Sequence, residues 1–76
     1  MKTKDTMMKT KDLGEFIFEE RMRQKKSQLT LEIASGVNRS SINRYENDGI
    51  MPRFDVAQRL LDALGYELVI RKKRDE

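Results

Sequence analysis

The apolar positions of this 76-residue chain recur at helical spacing in four stretches that are separated by turn-forming residues. In the first stretch, Leu13, Phe16 and Ile17 have the spacing of one buried helix face. Asp12 precedes them as a capping residue, with an acidic residue three positions later. We therefore predict a first helix from Asp12 to about Lys25.

Two shorter helices are predicted next, with a tight turn between them. Ser27 is a favourable N-cap for a second helix that ends near Ser35, and Asn38 is a favourable N-cap for a third that ends near Asn47. Gly36 lies between them and can adopt the left-handed backbone conformation that such a turn requires.

A fourth helix is predicted from Arg53 to Leu64, after a loop that contains the only proline of the chain. Gly65 follows it and is suited to end a helix. The predicted inward stripe of this helix consists of Phe54, Ala57, Leu60, Leu61 and Leu64.

The chain ends change character on both sides of this helical domain, which we assign to residues 12–65. Residues 66–71 are rich in aromatic and β-branched residues and have apolar residues at the alternate positions 66, 68 and 70, which predicts a short strand. A single strand has unpaired backbone edges, and the same strand of a second copy is the simplest partner. Residues 1–11 lack apolar periodicity and are predicted to form a flexible basic arm, and residues 72–76 a charged tail. The predicted strand carries Tyr66, Leu68 and Ile70 on one face.

This pattern predicts an all-α fold of four compact helices, with a C-terminal strand that pairs across a dimer. The composition limits the chemistry that such a fold can carry. The chain has no cysteine and no histidine. It therefore lacks disulfides, the usual zinc ligands and the usual general base. We also find no nucleophile–base pair and no glycine-rich phosphate loop.

We therefore expect no catalytic residue, metal site or cofactor, and no enzymatic activity. No apolar run is long enough to span a bilayer, and no signal-peptide core follows Met1. The expected location is the cytoplasm. The net charge is only +3, although 38% of the residues are charged. The distribution of the basic residues therefore matters more than their number.

The third helix concentrates polar and basic side chains on one side. At about 100° per residue, Ile42 and Tyr45 share one face. An ordinary solvated face would explain such an arc, and so would insertion into the DNA major groove. The order of the elements favours DNA, because two short helices joined by a glycine turn form a helix-turn-helix. The opposite arc contains Arg39, Ser40, Asn43 and Arg44.

The sequence resembles the lambda-repressor/Cro-like (XRE) family from residue 13 to residue 65. The most specific part is the run Gly36-Val37-Asn38-Arg39-Ser40-Ser41-Ile42-Asn43-Arg44-Tyr45-Glu46-Asn47. The ending Ala63-Leu64-Gly65-Tyr66-Glu67-Leu68-Val69-Ile70 also resembles the HipB-like antitoxin branch, in which a terminal strand pairs across the dimer.

The resemblance implies roles for individual residues. Asn43 lies on the same face as the implied base contacts and is added to them. Arg21 and Glu46 occupy positions that form a salt bridge in some relatives, although two independent surface charges are the alternative. The implied base contacts are Asn38, Arg39, Ser40 and Arg44. The implied phosphate contacts are Gln28, Asn47 and Arg53.

Four positions depart from the family pattern. Glu20 and Lys26 replace residues that are usually apolar, and Glu32 replaces a small one. Ala34 is assigned as the replacement of an inward leucine.

Two apolar pairs also lie on faces that relatives usually expose to solvent. Repacking of the first two helices, with the N-terminal arm over them, would explain these pairs, and so would a surface for a protein partner. The pairs are Phe18 with Met22 and Leu29 with Ile33.

The function that these features predict is a dimeric repressor that binds a pseudopalindromic double-stranded DNA operator. An antitoxin that binds a toxin and represses its own operon is one form of this function. The alternative is an activator or interaction module that contacts RNA polymerase or another protein through the second helix. The lysines of residues 1–11 either contact DNA phosphates or belong to a disordered tail.

Overall fold

A computed structural model describes residues 12–73 and contains four α-helices. They are α1 (Leu13–Arg23), α2 (Gln28–Ser35), α3 (Arg39–Asp48) and α4 (Phe54–Ala63). The four predicted helices are thereby confirmed. The predicted arm of residues 1–11 and the last part of the predicted tail, residues 74–76, lie outside the described residues. Within the described part of the chain, no helix is both long and apolar enough to cross a membrane.

Side-chain caps begin the first three helices. The cap of α1 is Asp12, the cap of α2 is Ser27 and the cap of α3 is Asn38, as predicted. Each cap accepts a backbone N–H from the first turn, at 2.8 to 3.0 Å. These bonds satisfy donors that have no partner within the helix.

At the ends of α1 and α2, a residue in the left-handed backbone conformation explains why the helix stops. Gly36 follows α2 with φ of 78°, which permits the sharp turn into α3. Lys25 also has a positive φ, 57°, so that α1 ends at Arg23 and not at Lys25 as predicted. A right-handed helix cannot continue through that conformation.

All four helices contribute to one hydrophobic core. Four of its side chains have no exposed surface, namely Ile17, Leu31, Ile42 and Leu60. Each of these belongs to a different helix. The core fixes the rotation of each helix about its axis and thereby decides which of its side chains face solvent. Its other buried members are Val37, Leu61 and Leu64.

Phe54 does not belong to this core, and its prediction as part of the inward stripe of α4 is wrong. Its side chain is 47% exposed, whereas Ala57 and Leu60 are buried. Phe54 is the first residue of α4 and lies at the end of the stripe. The helical period alone does not show where the neighbouring elements stop covering the stripe.

The buried small residue of α2 is Ser35, and the assignment of Ala34 to an inward position is wrong. Ala34 is exposed. The Ser35 hydroxyl donates to the Leu31 carbonyl at 2.7 Å and accepts the Val37 N–H at 3.1 Å. A polar side chain at this position is therefore fully hydrogen-bonded, which limits the cost of burying it.

Lys26, a charged residue at a position that is usually apolar in the family, binds the C-terminal end of α4. Its Nζ donates to the Ala63 carbonyl at 3.2 Å, and Gln24 Nε2 donates to the Leu64 carbonyl at 2.9 Å. A cation is favourable at the negative end of the helix dipole. The α1–α2 connection thus caps the C-terminus of α4.

Glu20, the other charged replacement, pairs with Arg23 one turn along α1. The hydrogen bond from Arg23 holds the pKa of the Glu20 carboxyl below its usual value. Because the Arg23 side chain is 64% exposed, water screens the pair and its contribution to stability is small.

The segment after α4 continues over the core without forming a strand within residues 12–73. The Tyr66 ring packs edge-on against Phe16, with the ring centroids 5.1 Å apart. Leu68 is partly buried against the core, whereas Val69 and Ile70 are exposed. Pairing of this segment with a second copy stays a prediction.

The two unusual apolar pairs are at the surface of the described residues. Phe18, Met22, Leu29 and Ile33 are between 42% and 75% exposed. Phe18 covers the guanidinium of Arg21, whose Cζ lies 5.5 Å from the ring centroid. Repacking of α1 and α2 around these side chains is therefore wrong. A contact with residues 1–11 lies outside the described residues.

We expect the substitutions Leu29→Lys and Ile33→Lys to change the free energy of unfolding by no more than about 0.5 kcal/mol each, because both side chains face solvent. Leu31→Ala on the same helix is the matched control and should cost about 2–5 kcal/mol, because Leu31 is fully buried. Urea denaturation measures all three variants. A loss from Ile33→Lys as large as that from Leu31→Ala would contradict this packing.

Candidate nucleic-acid interface

Helices α2 and α3 form a helix-turn-helix in which α3 is held from its inner side. Ile42 lies in the core with no exposed surface, and Tyr45 packs against the core while partly buried. One turn after Ile42, the Glu46 side chain is only 1% exposed. The inner face of α3 is therefore immobilised near the middle and toward the C-terminal end of the helix.

The outer face of α3 presents two cations without a counter-ion. Arg39 and Arg44 are exposed. Within residues 12–73, neither makes a hydrogen bond, an ion pair or a ring contact. A guanidinium carries five N–H donors in a planar arrangement that matches two acceptors at once. The other exposed polar side chains of this face are Ser40, Asn43 and Asn47.

Asn38 and Ser40 are joined at the start of α3. The Asn38 side-chain oxygen accepts the Ser40 N–H at 2.8 Å and the Ser40 hydroxyl at 2.7 Å. The Asn38 amide nitrogen has no partner among residues 12–73. The free group at this position is therefore a hydrogen-bond donor, and Asn38 also serves as the N-cap.

Arg21 and Glu46, the residues of the predicted salt bridge, form a buried bidentate ion pair between α1 and α3. Arg21 Nε lies 2.8 Å from Glu46 Oε2, and Nη2 lies 2.7 Å from Oε1. The third nitrogen, Nη1, donates to the Lys26 carbonyl at 2.9 Å. Only 8% of the Arg21 side chain is exposed. This geometry makes the pair a fixed connection and not a mobile surface contact.

Gln28 and Asn47, two of the predicted phosphate contacts, use their amide groups within the protein. Gln28 Nε2 donates to Glu46 Oε1 at 3.0 Å and to Asn43 Oδ1 at 3.3 Å. Asn47 Nδ2 donates to the carbonyl of Asn43 at 3.0 Å and to Asn43 Oδ1 at 2.7 Å. Either residue would have to release one of these bonds before its side-chain amide could donate to a phosphate.

Arg53, the third predicted phosphate contact, projects from the start of α4. Its side chain is 83% exposed, and its Nε lies 3.6 Å from a carboxylate oxygen of Asp55. Such an exposed pair is weak. The Arg53 guanidinium is therefore free to exchange this carboxylate for another anion.

Gly14 positions α3 and was not identified from the sequence. A Cβ added to Gly14 would lie 1.8 Å from the carbonyl oxygen of Tyr45. The backbones of α1 and α3 therefore approach each other so closely that only glycine fits. The sequence did contain one indication of this contact, a glycine in the first turn of a helix. Glycine lowers the stability of a helix, so its presence there indicates that another backbone packs against it.

A concave feature of residues 12–73 lies away from α3. An open groove of about 450 Å³ runs between α4 and the segment that follows it. Within residues 12–73 there is no cluster of three or more acidic, histidine or cysteine side chains that could bind a metal ion. The groove is lined by Gln58, Arg59, Asp62, Tyr66, Glu67 and Leu68.

Comparison with known families agrees with the geometry of α2 and α3. A family model described as helix-turn-helix matches residues 17–71, which is most of the chain. The chain belongs to the helix-turn-helix family. No curated protein and no solved structure matches it.

The family assignment makes this helix-turn-helix protein a DNA-binding transcription regulator of the XRE type. In such a domain, α3 is the recognition helix and α2 crosses the DNA backbone. The residues that face outward from α3 are thus the candidate DNA contacts.

Proposed function

We propose that this helix-turn-helix protein is a repressor that binds a specific operator as a homodimer. The proposal rests on the exposure of the Arg39 and Arg44 guanidinium groups. Both project from a helix that is fixed by Ile42 and Glu46, and both lack a counter-ion within residues 12–73. Such arginines can bind guanine through its O6 and N7 acceptors in the major groove.

The other exposed residues of α3 have complementary roles in this proposal. Asn38, Ser40 and Asn43 contact base edges beside the two arginines. Arg53 contacts a phosphate, which fixes the position of the protein on the duplex without carrying sequence information. Gln28 and Asn47, the other predicted phosphate contacts, keep their side-chain amides on Glu46 and Asn43 in this proposal and hold α3 in place. Repression then follows from occupation of the operator.

The homodimer is proposed from the C-terminal segment. Val69 and Ile70 are 56% and 79% exposed, and the backbone there has no strand partner within the described chain. Pairing of residues 66–71 as a strand with those of a second copy would pair the backbone groups of this segment and shield part of these side chains. A two-fold dimer predicts an operator with inverted half-sites, whose centres lie about 34–36 Å apart or at a multiple of that distance.

Selection of bound sequences from random double-stranded DNA tests this function. We expect the native protein to enrich an inverted repeat. Arg39→Ala and Arg44→Ala should each relax the preference at one position per half-site, by about 5- to 150-fold in discrimination. Arg59→Ala removes the same charge from α4 and is the matched control, for which we expect unchanged preferences. Failure of the native protein to enrich any sequence would refute specific recognition.

An antitoxin is the more specific form of the proposal. The resemblance of residues 63–70 to the HipB-like branch supports it, and the exposed Leu29 and Ile33 supply an apolar surface for a protein partner. Co-purification with the product of an adjacent toxin gene would test this form.

An activator or interaction module is the second candidate, and the same exposed Leu29 and Ile33 favour it. The salt dependence of DNA binding separates it from the repressor. Several phosphate contacts should make the affinity fall steeply with added salt. A protein that acts only through Leu29 and Ile33 should show weak DNA binding with no preferred sequence.

A further inference from the structure

A chain of hydrogen bonds leads from the buried ion pair to the surface of the recognition helix. Both oxygens of Glu46 accept from Arg21, and Oε1 also accepts from Gln28 Nε2 at 3.0 Å. A carboxylate that is paired with a guanidinium only accepts hydrogen bonds. The atom of Gln28 that faces Glu46 is therefore its NH2 group, and its amide cannot be turned around without placing two oxygens against each other.

The second link of the chain fixes the orientation of Asn43 from one side. The same Gln28 nitrogen lies 3.3 Å from Asn43 Oδ1. Because this nitrogen is a donor, the Asn43 atom opposite it must be the acceptor oxygen.

Asn47 fixes the Asn43 amide from the other side. Its Nδ2 lies 3.0 Å from the backbone carbonyl of Asn43, which can only accept a hydrogen bond. The Asn47 amide is thereby oriented with its nitrogen toward Asn43, and the same nitrogen lies 2.7 Å from Oδ1. Two independent donors thus converge on one oxygen, and the two lone pairs of that oxygen are occupied.

We propose that Asn43 reads DNA only as a hydrogen-bond donor and selects a base that presents acceptors in the major groove. Its Nδ2 has no partner among residues 12–73, and the residue is exposed on the same arc as Arg39. This inference rests on the proposed function. It opposes the usual expectation for asparagine, in which the amide oxygen accepts from adenine N6 while the nitrogen donates to N7.

Guanine fits this arrangement best, because its N7 and O6 are adjacent acceptors for the two hydrogens of one amide nitrogen. Thymine O4 is the other acceptor. Cytosine presents only an amine to the Asn43 amine, and adenine presents a single acceptor, N7, beside an amine, so that adenine accepts one hydrogen bond where guanine accepts two. Asn38 is constrained in the same way, since Ser40 occupies its oxygen. The recognition face thus presents donors at Asn38, Asn43 and the two arginines.

Asn43→Asp tests the proposal, because it keeps an oxygen at Oδ1 for Gln28 and Asn47 and replaces the free donor with an acceptor. Sequences should be selected from random duplex DNA with the native full-length chain and with this variant. We expect one position per half-site to change from guanine or thymine to cytosine or adenine, with a change in preference of about 5- to 150-fold. Gln58→Glu makes the same charge change on α4 and should weaken binding without altering any preference.

Asn47→Ala is a second test that retains the Asn43 side chain. It removes one of the two donors to Oδ1 and frees a lone pair that can accept from adenine N6, so that the preference for guanine over adenine should shrink at the same position. If Asn47 acted only as a phosphate contact, this variant would weaken binding uniformly and leave the preferences unchanged.

The outcomes separate this inference from the proposed function. If the native chain enriches no sequence, the proposed function is wrong. If it enriches a site but the position that responds to Asn43→Asp is adenine or cytosine in the native selection, donor-only reading by Asn43 is refuted. Donor-only reading is also refuted if no position responds to Asn43→Asp. If the Asn43→Asp variant does not fold, the proposal is refuted when Asn47→Ala leaves every preference unchanged.

Discussion

Glu46→Ala is expected to remove about half of the folding free energy of this helix-turn-helix domain. The variant leaves the Arg21 guanidinium buried, with 8% of its side chain exposed and two of its hydrogen bonds lost. Stranding one member of a buried ion pair costs about 3–5 kcal/mol. A chain of this length is typically stable by about 4–11 kcal/mol. Urea denaturation followed by far-ultraviolet circular dichroism measures the loss.

Two control variants show whether burial is the cause. Arg23→Ala breaks the ion pair with Glu20 by removing a side chain that is 64% exposed, on the same helix as Arg21, and should cost less than about 1 kcal/mol. The double variant Arg21→Met/Glu46→Leu removes both buried charges and should recover much of the loss. A loss from Glu46→Ala no larger than that from Arg23→Ala would show that the pair is not buried in solution.

Gly14→Ala is expected to destabilise the domain by about 3 kcal/mol, although the same change in an open helix is stabilising. The added Cβ would lie 1.8 Å from the Tyr45 carbonyl oxygen and 2.8 Å from the carbonyl carbon. Both are backbone atoms of α3, so no side-chain rotation relieves the overlap, and α1 and α3 must move apart. The melting temperature and the urea midpoint should both fall.

Gly36→Ala is the matched control for this prediction. Gly36 has open space around its Cα and a φ of 78°, so alanine there meets backbone strain without a clash. We expect a cost of about 1–2 kcal/mol, smaller than that of Gly14→Ala. If Gly14→Ala instead stabilises the protein, the close approach of α1 and α3 is wrong.

The helices were predictable because their determinants are local. A cap such as Ser27 bonds to a backbone group three residues away, and a glycine such as Gly36 adopts its conformation without help from distant residues. The apolar stripes were also predictable, because helical periodicity places their members on one face. Phe54 was misassigned, because the stripe does not show which neighbouring elements cover its ends. Ala34 was misassigned because the family pattern was placed one residue before the buried position, Ser35.

The candidate interface was predictable only in part. The helical wheel of α3 placed Arg39 and Arg44 opposite Ile42, and the structure has both arginines exposed. The wheel contains no information about Gln28, which reaches Asn43 from 15 positions earlier in the chain. It therefore could not show that the Asn43 oxygen is already occupied.

From its sequence alone, this protein has four helices, a glycine turn between the second and third, and an arc of basic and polar residues on the third. These follow from hydrogen bonds and periodicities that extend over a few residues. The tertiary structure alone decided that Gly14 must lack a side chain, that Ser35 is buried, and that Asn43 retains only its donor. Each of these depends on ångström-scale distances between atoms. For Gly14 and Asn43 a partner comes from another helix, Tyr45 of α3 and Gln28 of α2 respectively, which no local pattern encodes.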